Sequence, residues 1–412
     1  MHIAIATTEF MTEPSFAGGL SNFTANLAGI LKSNGHQIDV FVVADTDEAL
    51  TWKNGIHVYR VKYSRDIKLP KYIPTLRLRT HILTAWCLWG MSYVINKRIK
   101  EIHKEAPFDV IHFCDSAILW ACHPGNIPGI LRLSSSPYLV RRALVSGEVP
   151  FNYDSALKTR DWQERIYDFE LRKMKTIIAP SYLVGGIIEK KLKRHVTVVE
   201  SPFCTDISGI DYSVYNDKLL GKNYFLFFGT FNFLKGIHVI GQALINIFER
   251  YPDFYFVFLG RDSKLSWNGQ ELTGKELLKM FAGKYENRII FLPPTPEKKQ
   301  VYGVVSCAEL VILPSRVDNL PNTCIEAMAL GKIVIGTRGA SFEQLITDGC
   351  NGWLIERDNP DSLLEKIVQA MQMTEEEKIL FGERAKNRLE KMKPEAFYRN
   401  IMAVYEKAMK GC

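Results

Sequence analysis

The sequence predicts an α/β protein built as two doubly wound domains in series, and three observations carry that reading. Short β-branched and aromatic runs alternate with helical stretches from end to end, the pattern of parallel βαβ units. The alternation closes near Pro202 and restarts at Tyr224. At 412 residues the chain also exceeds what one hydrophobic core supports.

The first domain opens with a strand over residues 2–7 and the loop Glu9–Gly19. A helix over Leu20–Asn34 then places Phe23, Leu27, Ile30 and Leu31 on one face. Gly35 stops it, and Gln37–Ala44 is the next strand. Asp109–Phe113, Ile130–Leu133, Thr176–Ala179 and Val196–Glu200 continue the sheet. In the second domain, Tyr224–Phe228, Phe254–Leu259, Ile289–Leu292, Leu310–Leu313, Ile333–Gly336 and Trp353–Ile355 read as strands. Gly236–Arg250, Asp361–Gln372, Glu375–Lys391 and Ala396–Lys410 read as helices. The expected division is therefore 1–205, 206–392 and a terminal helix in 393–412, whose apolar face is Phe397, Ile401, Val404, Tyr405 and Ala408. Ligands of such sheets bind beyond the carboxyl ends of the strands, here in a cleft between the domains.

Composition narrows the function classes. Hydrophobic residues at 47% and charged residues at 24% are those of a globular protein. Met1–Ala6 runs straight into the first strand, with no signal-peptide pattern, so a cytoplasmic protein is expected. The longest apolar run, Ile82–Ile95, has 14 residues, fewer than the roughly 20 of a spanning helix. Eight scattered cysteines, without a CxxC, predict reduced core thiols and no metal site. Of the net charge of +7, the stretch Lys53–Lys104 holds twelve cations against Asp66 and Glu101. It reads either as peripheral association with an anionic inner membrane face, assisted by Trp86 and Trp89, or as a solvated basic face around a core helix. Nucleic-acid binding is not expected.

The most informative stretch is Pro314-Ser-Arg-Val-Asp-Asn-Leu-Pro-Asn-Thr-Cys-Ile-Glu-Ala-Met-Ala-Leu-Gly-Lys332. A polar loop leaves the apolar strand Leu310–Leu313 and enters a helix near Asn322, where free N–H groups and the dipole suit a phosphate. Asn322 or Thr323 would cap that helix. Asp318 and Glu326, eight positions apart, can accept hydrogen bonds from sugar hydroxyls.

With Asp318 and Glu326 in that spacing, the stretch resembles the E-x7-E signature of the retaining GT-B glycosyltransferases of family 4, the group 1 glycosyl transferases. FFGTFNFLKGIHVIGQAL resembles the family's glycine–basic loop, FVFLGRD its nucleotide-side strand end, and IVIGTRGASFEQLITDGCNGWLI its closing segment. FAGGLSNFTANLAGILKSNGHQIDVF resembles its N-terminal glycine-rich loop and first helix. The resemblance implies two Rossmann-like domains and transfer of a hexose-type sugar from a UDP- or GDP-linked donor to a glycan or lipid-linked acceptor, without a metal or other cofactor.

It further implies a role for each matching residue. Glu326 would bind the ribose, and Asp318, with the N–H groups of Leu320, Asn322 and Thr323, would hold the sugar and diphosphate. Lys235 would neutralise the leaving diphosphate. Gly18 and Gly19 would approach the phosphates or acceptor, and Gly260 and Arg261 would lie near the base.

Several positions depart from the family pattern. Asp318 stands for the usual Glu, and Thr230 for a phosphate-binding Arg. Arg316 and Arg338 read as replacements for that cation or as surface cations. The sugar-contacting His of the N-terminal domain is replaced by Ser134, Ser135 and Ser136; His112 is its nearest substitute or a structural strand-end histidine. Glu343 is a cleft-facing carboxylate or a helix-start acid. A sugar-nucleotide-binding protein with weak turnover and a GT-B epimerase are the alternative readings.

Overall fold

The computed structural model describes residues 1–13, 19–63, 76–114, 117–134, 137–158, 162–204, 206–295 and 297–410. It divides into two units: Met1–Ser136 with Thr159–Cys204 and Lys393–Cys412, and Pro137–Lys158 with Thr205–Met392. Pro137–Lys158 thus goes with the second unit, where a continuous division at residue 205 would have put it with the first.

Eight strands build the first unit: β1 His2–Thr7, β2 Gln37–Ala44, β3 Glu48–Trp52, β4 Ile56–Lys62, β5 Val110–Cys114, β6 Gly129–Arg132, β7 Thr176–Ala179 and β8 Thr197–Val198. Their order is β3-β4-β2-β1-β5-β6-β7-β8, parallel throughout except for the β3–β4 pair at the edge. The central strands β1 and β5 are mostly apolar and buried at nearly every position, as expected of a sheet covered on both faces. The strand expected over Val196–Glu200 shrinks to Thr197–Val198.

The final helix, Pro394–Lys410, belongs to this first unit. Phe397, Ile401, Val404, Tyr405 and Ala408 are buried in one core with Ile5, Phe23 and Leu27. The Tyr405 hydroxyl lies 2.9 Å from Nδ1 of fully buried His112, and the Tyr398 hydroxyl 2.9 Å from Nε2 of His36.

The second unit contains β9 Asn223–Phe228, β10 Phe254–Leu259, β11 Lys264–Trp267, β12 Gln270–Thr273, β13 Ile289–Leu292, β14 Leu310–Leu313, β15 Val334–Thr337 and β16 Trp353–Ile355. Six form a parallel sheet in the order β13-β10-β9-β14-β15-β16, and β11–β12 is a separate hairpin. The helix Ile237–Arg250 buries Ile240, Leu244 and Ile247 in a core with Phe225, Phe227 and Phe256.

Burial of His112 has a measurable consequence. Desolvation, helped by the charge of Arg132, lowers its pKa from 6.5 to about 3. Between those values the unfolded chain binds the proton and the folded chain does not. Stability from this group is therefore full above pH 6.5 and is lost as pH falls towards 3. Going from pH 7 to 5 should cost about 2 kcal/mol from His112 alone. Urea unfolding at both pH values checks this: the difference should shrink in His112→Gln, and an unchanged difference contradicts the assignment.

Candidate functional site

Two loops at the carboxyl ends of neighbouring strands β9 and β14 form the core of the site. After β9, Asn232 caps a short 3₁₀ turn, Phe233–Lys235, by accepting the Lys235 N–H at 3.0 Å. Gly236 follows at φ 75°, and a Cβ there would stand 1.8 Å from the Pro314 carbonyl oxygen. Only glycine permits that approach. The Arg316 N–H donates to the Leu234 carbonyl at 2.9 Å, and Lys235 Nζ reaches Asp318 Oδ2 at 2.5 Å.

Further bonds orient Asp318. Its Oδ1 accepts the Asn319 N–H at 2.9 Å, its Oδ2 the Ser315 hydroxyl at 3.5 Å, and its carbonyl the Ser341 hydroxyl at 3.0 Å. Lys235 and Asp318 are both partly exposed, so the pair is open to exchange with a ligand.

The helix entered from this loop is Asn322–Ala329, with Pro321 at its N-cap and no side-chain cap. The cap expected from Asn322 or Thr323 is not made, because the helix starts one residue earlier and makes Asn322 its first turn. The first N–H groups therefore lack intrahelical partners. Asn322 is exposed and Thr323 half-buried, whereas the Leu320 side chain is buried. Glu326 lies one turn in, and its Oε1 accepts from Lys298 Nζ at 3.1 Å.

Lys298 was not among the residues expected. Its signal was the Lys298-Lys299 pair opening the helix Lys298–Ser306, where the dipole disfavours cations.

The remaining expected residues separate into several groups. Gly260, at φ 146°, lies against the Gly229 carbonyl, 2.0 Å from where its Cβ would be, so the ends of β9 and β10 nearly touch. Half-buried Thr230 and exposed Arg261 follow those glycines, and the Arg261 carbonyl accepts the Phe231 N–H. Glu343 is exposed and accepts the Gly339 N–H. Arg338 is a surface cation paired with Asp348 and Glu356. Gly19 begins the helix Gly19–Ser33 and is exposed, and Ser134 is half-buried after β6. Gly18, Ser135 and Ser136 lie outside the described residues, as do Arg65, Lys68 and Lys71 of the basic stretch.

Two expectations are corrected. His112 is not an acceptor-side group: it is wholly buried, neutral and bonded to Tyr405. Arg316 is neither a spare phosphate cation nor a surface one, being 1% exposed. Its Nε donates to Asp358 Oδ1 at 2.8 Å, and its other nitrogens donate to the carbonyls of Ala143, Ser146 and Val149. Asp358 also accepts from His238 Nε2 at 2.8 Å and from the Phe151 N–H at 2.6 Å. Burial alone would raise the Asp358 pKa, but these bonds and the guanidinium charge outweigh it and hold it at about 2. This knot ties Pro137–Lys158 to the second unit.

Residues 214–388 match the family model described as Glycosyl transferases group 1. The chain carries a group 1 glycosyl transferase domain. It is 27% identical over 326 residues to an uncharacterized glycosyltransferase of Methanocaldococcus jannaschii, covering 77% of this chain and 81% of that protein. It is 23% identical over 403 residues to the phosphatidyl-myo-inositol mannosyltransferase of Mycolicibacterium smegmatis, covering 94% and 90%. Among solved structures, sucrose-phosphate synthase from Thermosynechococcus elongatus superposes with a TM-score of 0.72 at 15% identity, over 100% of both chains. The fold is GT-B, and the protein is a glycosyltransferase. Among the described residues, no helix is long and apolar enough to cross a membrane.

Removing the arginine of the buried knot strands Asp358. Arg316→Ala should lose about 3–5 kcal/mol of stability. Chemical denaturation checks this; a variant of normal stability that has lost only nucleotide-sugar affinity would instead make Arg316 a donor ligand.

Proposed function

We propose that this glycosyltransferase moves a hexose from a UDP- or GDP-linked donor to a glycan or lipid-linked acceptor, with retention of anomeric configuration, in cytoplasmic glycoconjugate or polysaccharide synthesis. The observation that carries the reading is the Lys235–Asp318 pair beside an uncapped helix N-terminus, with Glu326 one turn into that helix. The name of the mycolicibacterial relative, a phosphatidyl-myo-inositol mannosyltransferase, favours a lipid-linked acceptor and a hexose donor.

The chemistry follows from an exchange of partners. A donor diphosphate competes with Asp318 for the Lys235 ammonium, and the helix N–H groups supply further donors to it. Asp318, released from Lys235, turns its acceptor oxygens to the sugar hydroxyls. Glu326 keeps Lys298 on Oε1 and offers Oε2 to the ribose hydroxyls. The acceptor oxygen then bonds to the anomeric carbon on the face from which the phosphate oxygen departs, and that oxygen takes the acceptor's proton. Lys235 and the helix N-terminus stabilise the charge developing on the diphosphate.

Lys235→Ala and Glu326→Ala should each lower the transfer rate about 10²–10³-fold while the melting temperature stays near that of the parent. Near-normal turnover by both would sink the reading. Because these groups carry the diphosphate charge, transfer should survive EDTA; complete loss restored by magnesium or manganese would refute that part.

A further inference from the structure

The helix Leu76–Glu105 carries an exposed stripe that the transfer reaction does not use. Trp86, Trp89, Tyr93, Lys97, Lys100 and Lys104 are all exposed and recur at steps of three or four, which places them along one face. Trp86 is 60% and Tyr93 59% exposed. The stripe has three aromatics at one end and three lysines at the other, over about 27 Å of helix.

Its direction is fixed by bonds on the opposite face. Ser92 Oγ and Asn96 Nδ2 each donate to the Leu119 carbonyl at 2.7 Å, and Ala85, Ile95 and Ile99 are buried beneath. On the near side, Trp89 Nε1 donates to Glu170 Oε1 at 3.2 Å. The aromatics are thus held outward and cannot roll into the core. The neighbouring Glu101 is engaged by Arg98 at 3.1 Å, so it does not discharge the lysine end.

We propose that this stripe is a docking face for an anionic phospholipid bilayer, on which the helix lies without crossing. Indole and phenol rings settle at the headgroup level, and lysines bind the phosphates beside them. The block arrangement favours a bilayer over a nucleic-acid strand, which needs stacking rings and cations interleaved along its track. The proposal goes beyond the catalytic reading and does not rest on it, since none of the six residues belongs to the donor site.

Vesicle flotation of the full chain tests it, with phosphatidylcholine alone and with added phosphatidylglycerol, alongside turnover on a water-soluble acceptor. The chain should float with the anionic vesicles only and be released by high salt. A triple Lys97→Ser, Lys100→Ser, Lys104→Ser variant should lower partitioning roughly 100-fold, at about 1 kcal/mol per lysine. Trp86→Ala with Tyr93→Ala should weaken binding at low salt as well, and soluble-acceptor turnover should be unchanged in both. Equal recovery with neutral and anionic vesicles overturns the proposal. So does a concentration-dependent dimer, seen by sedimentation and abolished by the aromatic pair of substitutions, which would make the stripe a contact between two copies of the chain.

Discussion

The donor motifs work together only because the loop after β9 presses directly onto the loop after β14. Gly236 makes that possible, since its position against the Pro314 carbonyl leaves no room for a side chain. With the backbones joined by the Arg316 N–H to Leu234 bond, Lys235 and Asp318 are brought within hydrogen-bond reach despite a separation of 83 residues. A parallel sheet is what puts both loops at the same end. Any substitution that lifted one loop from the other would dissolve the pair without touching either of its members.

Beneath the site the same loop is anchored in the opposite direction. Arg316, two residues before Asp318, turns inward to Asp358 and three backbone carbonyls, while His238, three residues after Lys235, meets the same carboxylate. The exposed charges above and the buried charges below thus share two short segments of chain. Removing the exposed cation Lys298 leaves Glu326 at the solvent edge of the site, at smaller cost than removing a buried partner, which leaves an unpaired ion in a low-dielectric interior.

The parallel strands were legible because burial on both faces gives continuous apolar runs, and β2, β7, β10, β13, β14 and β16 fall where the sequence puts them. The edge pair β3–β4 carries Glu48, Arg60 and Lys62 among its apolar residues and does not stand out in that way. The β11–β12 hairpin had a readable signal in Asn268-Gly269, both at positive φ, as a tight primed turn requires. Asp318, Glu326 and Lys235 were legible from a motif, but Lys298, the partner of Glu326, was not. A sequence shows that Arg316 is a cation without showing the carbonyls that surround it. Nor does it show that Tyr405, 293 residues away, closes over His112.

In the proposed reaction the second unit holds a nucleotide sugar through Lys235, Asp318 and Glu326. The most direct measurement is thermal or chemical stability of the protein with a panel of UDP- and GDP-sugars. One of them, at 100 times its dissociation constant, should stabilise the protein by about 2.7 kcal/mol, and should fail to stabilise a Lys235→Ala, Glu326→Ala double variant. A panel in which no nucleotide sugar stabilises the protein, or one that stabilises both forms equally, would contradict the account.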